Sequence, residues 1–190
     1  MDLIYSLYND SRTVFRLKDV AMLTGETSFN SLNMKLNYYV RTGRLQNPRK
    51  GVYCKNNYNL QELACRIFTP SYISLEYVLQ QAGVIFQYDS RLTSVSYLSR
   101  DIEINDKIFS FRKIKNEILV SVQGIKQEGN ALTIATPERA FLDMLYLNGD
   151  MYFDNLNPLK IEMIERILPV YNSQILTKRV QKLFKNDGLK

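Results

Sequence analysis

The residues best suited to chemistry in this 190-residue chain are cations near its amino terminus. No aspartate or glutamate occurs from Thr27 to Gln61, whereas six basic residues do: Lys35, Arg41, Arg44, Arg49, Lys50 and Lys55. Residues 1–58 hold nine Lys or Arg against four Asp or Glu, a net charge of +5, and the whole chain has +6. Such a segment is typical of a surface that binds a polyanion, most often nucleic acid, and a solvated basic face is the simpler alternative.

Composition excludes several kinds of catalytic site. Histidine is absent, which removes Ser-His and Cys-His nucleophile pairs and every metal site that depends on imidazole. The two cysteines, Cys54 and Cys65, cannot complete a four-sulfur zinc site, and we expect both to be reduced. The remaining enzymatic routes use carboxylate or lysine chemistry, which needs a cluster of such residues. We predict no catalytic residue, no metal ligand and no cofactor. With no apolar run long enough to span a bilayer and no basic-then-apolar leader, we expect a cytoplasmic protein without a membrane partner.

Three short helices and a hairpin are the elements that have to position the cations. Helical spacing and capping residues predict helices over residues 2–9, 16–25 and 28–42, with a brief strand over 13–15. In the basic segment that follows, Leu45 and Gln46 can form one strand, residues 47–50 the tip, and residues 51–54 the return strand, with Val52 buried. This order is that of a winged helix-turn-helix, in which the third helix enters the major groove and the wing contacts the DNA backbone.

The third helix separates into an apolar face and a polar face. At about 100° per residue, the inner face consists of Phe29, Leu32, Leu36, Tyr39 and Val40. The opposite face consists of Asn30, Ser31, Met34, Tyr38 and Arg41, with Lys35 and Asn37 on its flanks. Amide and guanidinium groups suit the major groove, where asparagine pairs with adenine and arginine with guanine. An ordinary solvated face remains the alternative for any single residue.

The rest of the chain mixes helices with strands. Helices are predicted over residues 59–68, 74–83, 136–147, 159–168 and 174–184, and strands over 91–99, 101–104, 107–114, 118–127 and 131–135. Ser74 and Thr136 are the expected N-caps of their helices, and Asn105-Asp106 is the expected hairpin turn. The predicted fold class is α+β: a winged helix-turn-helix DNA-binding domain over residues 1–57, then a C-terminal α/β domain over residues 58–190 with a small mixed sheet and flanking helices.

Several segments resemble the AbiEi-type family of antitoxins and transcriptional regulators, from bacterial abortive-infection toxin-antitoxin pairs. The matching pieces are the N-terminal helices, the wing ending in GVYC, the segment LACRIFTPSYISLEYVLQQAGV and the later ATPERAFLDMLYL. The resemblance covers roughly the whole chain. Its most specific piece is LACRIFTPSYISLEYVLQQAGV, because generic helices do not require that spacing of Pro70, Tyr72, Ser74 and Gly83.

The resemblance implies a DNA-binding repressor that autoregulates a toxin-antitoxin operon. Members of the family bind inverted repeats in their own promoter and neutralise a neighbouring nucleotidyltransferase-like toxin without a stable complex. By position, the groove helix corresponds to residues 28–42 and the wing to residues 43–55. Expected DNA contacts on the groove helix come from Ser28, Asn30, Ser31, Lys35, Tyr38 and Arg41. Phosphate contacts are expected from Arg44, Arg49 and Lys50.

Two other functions fit parts of the sequence. Asp101, Glu103, Asp106 and Lys107 superficially resemble the carboxylate and lysine cluster of a metal-dependent nuclease, although Asp106 falls in a predicted turn. Winged helices also bind proteins, so the chain could be a protein-interaction module.

The helix that begins at Pro137 also allows two interpretations. Arg139 and Asp143 lie one turn apart and can pair within a well-capped helix. Alternatively, Pro137, Glu138, Arg139 and Asp143 mark the surface that confers antitoxicity.

Overall fold

The computed structural model describes residues 2–129 and 131–186 and shows an α+β protein with two compact units. The first unit runs to Thr69 and includes Gln127–Leu132, and the second contains Pro70–Lys126 and the chain from Thr133 onward. The first unit thus extends past residue 57, the boundary expected from the sequence. One reason is that Glu62 Oε2 accepts hydrogen bonds from the backbone nitrogen and the hydroxyl of Thr13, at 2.7 and 2.8 Å.

Residues 2–69 of the first unit form four helices and three strands. In chain order they are α1 (Leu3–Asn9), β1 (Val14–Arg16), α2 (Leu17–Thr24), α3 (Phe29–Arg41), β2 (Gln46–Arg49), β3 (Val52–Cys54) and α4 (Leu60–Ile67). The expected caps are present, since Asp2 accepts from the backbone of Ile4, and Ser28 from that of Ser31. Gly25 ends α2 at φ +68°, a conformation that costs glycine little.

A small antiparallel sheet with strand order β1-β3-β2 lies in this unit. Its residues and the helices share one buried apolar core, formed by Leu3, Leu7, Phe15, Val20, Leu32, Leu36, Leu45 and Tyr53. Val52 is buried as predicted. Because α1, α2, α3 and the sheet all supply core residues, the position of α3 is fixed by packing on several sides.

The remaining elements form a six-stranded mixed sheet and further helices. In chain order they are β4 (Ser71–Ile73), α5 (Glu76–Gln81), β5 (Leu92–Ser96), β6 (Arg100–Ile104), β7 (Lys107–Lys113), α6 (Asn116–Leu119), β8 (Ile125–Glu128), β9 (Leu132–Ala135), α7 (Pro137–Asn148), α8 (Ile161–Ile167), a 3-10 turn (Leu168–Tyr171) and α9 (Gln174–Asn186). The strand order is β6-β7-β5-β4-β9-β8, with parallel pairs β5–β7 and β4–β9. The sheet is therefore mixed, as predicted.

Local turn chemistry is confirmed between β6 and β7. Asn105 and Asp106 have φ values of +49° and +60°, both in the left-handed region that a two-residue hairpin turn with matched twist requires. The strand predicted over residues 118–127 is wrong in its first half. Ile118 and Leu119 end the short helix α6, and the strand begins only at Ile125.

Ser74 is not the N-cap of α5, contrary to expectation. The helix begins at Glu76, after Leu75 at φ +63°, and the buried Ser74 hydroxyl instead donates to Asp143 Oδ2 at 2.8 Å. The tertiary hydrogen bond replaces the local one because it satisfies a carboxylate that has no access to water. Strand β4, just before Ser74, is not among the strands predicted from the sequence, because a pattern of three residues is too short to distinguish a strand from a loop.

The charges of Arg139 and Asp143 are paired inside the core. Both side chains have 0% exposure, and Arg139 Nε lies 3.4 Å from Asp143 Oδ1. Asp143 also accepts from the hydroxyls of Tyr72 at 3.0 Å and Tyr171 at 2.6 Å. Burial raises the pKa of Asp143, while Arg139 and the hydroxyl donors act in the opposite direction. The paired-helix interpretation is confirmed, and the surface interpretation is wrong for Glu138, Arg139 and Asp143, all of which are buried.

Removing one member of this pair should destabilise the protein strongly. Arg139→Met leaves Asp143 buried without its cation, so we expect the free energy of unfolding in urea to fall by about 3–5 kcal/mol. The double change Arg139→Met with Asp143→Leu should cost clearly less than the two single changes added together. Lys182→Met is the control, because its side chain is 68% exposed in a surface pair with Asp150. A loss for Arg139→Met no larger than for this control would contradict the structural role of the pair.

Candidate nucleic-acid interface

Helix α3 presents a polar face to solvent because its apolar face is held in the core. Leu32 and Leu36 are 0% exposed. We define the outer face of α3 as the exposed residues on the opposite side: Asn30, Met34, Tyr38 and Arg41. The helical spacing in the sequence predicts that these four side chains are exposed, and the structure confirms it. Phe29 was assigned to the inner face, and this is wrong: its ring is 52% exposed, because the first residue of α3 lies beyond the end of the core.

The two serines at the start of α3 are engaged with the helix itself. Ser28 Oγ accepts from the backbone nitrogen of Ser31 at 3.3 Å, and the backbone nitrogen of Ser28 donates to Glu26 Oε1 at 3.2 Å. Ser28 is exposed and Ser31 is half-buried. Both therefore lie at the edge of the outer face, and the hydroxyl oxygen of Ser28 is already an acceptor within the fold.

Lys35 carries a charge that is already paired. Its Nζ lies 3.0 Å from Glu26 Oε2, and both side chains remain partly exposed. Hydrogen bonding to Lys35, together with the Ser28 backbone, lowers the pKa of Glu26. The nearest acid in the sequence, just before the acid-free segment, thus balances the first cation of that segment.

Lys55 and Arg44 connect the basic segment to α1. Lys55 Nζ donates to the carbonyl oxygen of Asp10 at 2.6 Å and to that of Tyr8 at 3.3 Å. The hydroxyl of Tyr8 donates to the carbonyl oxygen of Arg44 at 2.7 Å. The Arg44 guanidinium itself is exposed and lies 6.0 Å from the centre of the Tyr39 ring. Lys55 is therefore a structural cation, whereas the charge of Arg44 faces water.

The β2–β3 hairpin is tighter than predicted. Residues 47–50 were expected to form its tip, but β2 continues to Arg49 and only Lys50 and Gly51 form the turn. Gly51 has φ +79°, and the Asn47 amide donates to the carbonyl oxygens of Arg49 and Val52 at 2.9 and 2.7 Å. These bonds stabilise the turn, and Lys50 is the basic residue that it contains.

Arg49 is half-buried and lies against an aromatic ring. Its guanidinium carbon is 5.0 Å from the centre of the Phe68 ring, within the range of a cation–π contact. Phe68 is distant in the sequence and follows α4, so nothing near Arg49 indicates this contact. The prediction that Arg49 sits at a mobile tip is wrong, because the side chain lies on a strand and packs on Phe68.

Two of the six cations have no partner within residues 2–129 and 131–186. Arg41, in the last turn of α3, and Lys50, at the hairpin turn, are exposed, and their side chains form no ion pair, hydrogen bond or cation–π contact there. Tyr53 connects the two elements that carry them, because its hydroxyl donates to Asn33 Oδ1 on α3 at 3.3 Å while its backbone lies in β3. The two free cations therefore lie on α3 and on the β2–β3 hairpin, which are joined by this hydrogen bond.

The residues of the nuclease alternative do not assemble a metal site in the described part of the chain. Asp101 Oδ1 accepts from the Ser110 hydroxyl at 2.7 Å across β6 and β7, and Asp106 lies in the hairpin turn. No group of three potential metal-binding acid, cysteine or histidine side chains occurs among residues 2–129 and 131–186. Asp101 is thereby explained by a cross-strand hydrogen bond.

Comparison with known proteins assigns no family to the chain. A scan against protein-family models finds no match, and a search among curated proteins finds no significant match. Over the described ranges, no helix combines the length and the apolar character needed to cross a bilayer. A functional proposal therefore depends on the geometry of the first unit and on the sequence resemblance.

The central strand of the small sheet should make the protein sensitive to alkaline pH. Burial, with a smaller effect from Glu62, raises the pKa of the Cys54 thiol to about 12, against 9.0 for an unperturbed thiol. Near pH 9 only the unfolded chain loses this proton. The contribution of the protonated Cys54 thiol to the free energy of unfolding is therefore complete below pH 9 and is lost progressively between pH 9 and 12. From pH 8 to 10, we expect the wild type to lose about 1 kcal/mol more unfolding free energy than Cys54→Ala. Identical pH profiles would show that Cys54 is not buried in β3.

Proposed function

We propose that the chain is a sequence-specific DNA-binding repressor that binds inverted repeats in its own promoter. In this proposal residues 1–57 are a winged helix-turn-helix, with α2 and α3 as the helix-turn-helix and the β2–β3 hairpin as the wing. The observation that carries the proposal is the placement of two exposed cations without a partner among the described residues, Arg41 on α3 and Lys50 on the hairpin turn. A groove helix with base-reading side chains and a wing that contacts phosphate require this arrangement.

The outer face of α3 supplies suitable groups for reading bases. The Asn30 amide can form two hydrogen bonds with adenine, and the Arg41 guanidinium can form two with guanine. Tyr38 is 53% exposed and can donate to a base edge or a phosphate. The side chains of Leu32 and Leu36 prevent the helix from turning this face inward, so the groups are presented in advance of binding.

The remaining expected contacts need small rearrangements or none. Lys35 can exchange Glu26 for a phosphate at little cost, because an exposed ion pair contributes only about 0–1 kcal/mol. Arg49 lies against Phe68, which restrains its rotamers and lowers the entropy lost when its N–H groups bind a phosphate. Arg44 is exposed, and Ser28 can donate its hydroxyl proton while its oxygen continues to cap α3.

The antitoxin part of the proposal rests on the sequence resemblance. The chain would autoregulate a toxin-antitoxin operon and, through its second unit, act in the cytoplasm against a nucleotidyltransferase-like toxin without forming a stable complex with it. Because Glu138, Arg139 and Asp143 are buried, a surface responsible for antitoxicity would have to use other residues.

A protein-interaction module is the second candidate, favoured by apolar side chains at the surface of the first unit. Met22 is 83% exposed, Met34 is 71% exposed and Phe29 is 52% exposed. Such side chains bind a protein partner by burial of apolar area, which depends weakly on salt. DNA binding through several phosphates weakens steeply as salt rises.

Loss of the Lys50 charge should reduce the salt dependence of DNA binding. Lys50→Ala removes one phosphate contact, so the slope of log K against log salt should fall by about 1, with similar weakening on specific and scrambled DNA. The measurement is a fluorescence anisotropy titration at several salt concentrations. Lys107→Ala is the matched control, an exposed lysine at the β6–β7 turn that should leave the slope unchanged. Equal slopes for Lys50→Ala and Lys107→Ala would exclude the hairpin turn from the interface.

Repression and antitoxicity should separate in a double variant. Arg41→Ala with Lys50→Ala should release a promoter reporter and still protect cells that express the adjacent gene, because both substitutions lie on solvent-exposed positions of the first unit. The measurements are reporter activity and growth during co-expression. If the wild-type chain does not protect growth, the antitoxin part of the proposal is wrong and the repressor part is unaffected.

A further inference from the structure

We infer that Met34 reads the 5-methyl group of a thymine, so that an A·T pair under the middle of α3 is part of the bound sequence. This inference rests on the proposed binding of α3 in the major groove. It adds a specificity-determining residue that is neither charged nor a hydrogen-bond donor.

Met34 lies in the centre of the outer face of α3. Asn30 precedes it by one helical turn and Tyr38 follows it by one, so the three side chains form a row along the helix. Four residues rise about 6 Å along a helix, and base pairs are about 3.4 Å apart. A thymine under Met34 would therefore be one or two base pairs from the base that Asn30 reads.

The chemistry of Met34 matches one group in the major groove. Each base presents donors or acceptors there, and thymine alone adds an apolar methyl group. The thioether of Met34 is apolar, polarizable and flexible enough to cover a methyl group, and it cannot satisfy a polar base edge by donating a hydrogen bond. With 71% of its surface exposed beside the Asn30 amide, Met34 lies where a large apolar side chain has no packing role in the first unit.

The fold does not depend on Met34, which makes the side chain testable. The inner face of α3 is held by Leu32 and Leu36, and Met34 lies on the opposite side. Met22 on α2 provides a matched control, because it is a second exposed methionine of the same unit, at 83% exposure. Met34→Gln replaces the thioether with a polar group of similar length, and Met34→Leu keeps an apolar side chain.

The experiment replaces single thymidines by deoxyuridine in the DNA segment that the full chain protects upstream of its own gene. Deoxyuridine differs from thymidine only by the missing methyl group. We expect the wild type to bind about fourfold more weakly when one particular thymidine in each half-site is replaced, since burial of one methyl group has about this effect. Met34→Gln should lose this thymidine preference, whereas Met34→Leu and Met22→Gln should keep it.

Two different failures are distinguishable in this experiment. If the wild type binds its upstream DNA specifically but no thymidine replacement weakens binding, or if Met34→Gln keeps the wild-type preference, then the inference about Met34 is overturned and DNA binding stands. If the wild type does not distinguish upstream DNA from scrambled DNA, the proposed function fails, and the inference fails with it. Circular dichroism of each variant verifies that the helices are retained.

Discussion

Burial of Leu32 and Leu36 in the core of the first unit is the constraint on which the proposed DNA interface depends. A helix with two fully buried leucines one turn apart cannot rotate about its axis without exposing them, which would cost several kcal/mol. The side chains on the opposite side are therefore held outward whether or not a ligand is present. The hydrogen bond from Tyr53 to Asn33 links the same helix to the central strand of the sheet, so helix and hairpin are positioned together.

The structure shows that some cations of the basic segment have partners outside the segment. From the sequence, its cations form an unbalanced group, and that description is correct for net charge. In the folded first unit, Lys35 pairs with Glu26, and Lys55 is bound by carbonyl oxygens at the end of α1. These partners come from outside the segment, so its composition could not indicate them. Of the other four cations, Arg44 and Arg49 lie over aromatic rings. Within residues 2–129 and 131–186, only the side chains of Arg41 and Lys50 among these cations have neither a polar partner nor a ring contact, so the group of free cations is smaller than the sequence suggested.

Features encoded by neighbouring residues were predictable, and features created by distant contacts were not. The cap at Ser28, the turn at Asn105 and the cap at Thr136 each depend on hydrogen bonds or dihedral angles within a few residues, and all three were identified correctly. Ser74 has equally good capping chemistry but binds Asp143 instead, 69 residues away. Local propensity was outweighed there by the need to satisfy a buried carboxylate, which no local pattern reveals.

The most direct test of the account is a binding titration of the full chain on its own upstream DNA and on scrambled DNA of the same length, each at two salt concentrations. The account predicts tighter binding to the upstream DNA at both salt concentrations. It also predicts that both affinities weaken steeply as salt rises, because phosphate contacts contribute to each complex. Equal affinity for the two DNAs, or no binding to either, would contradict the central claim that the outer face of α3 reads a specific sequence.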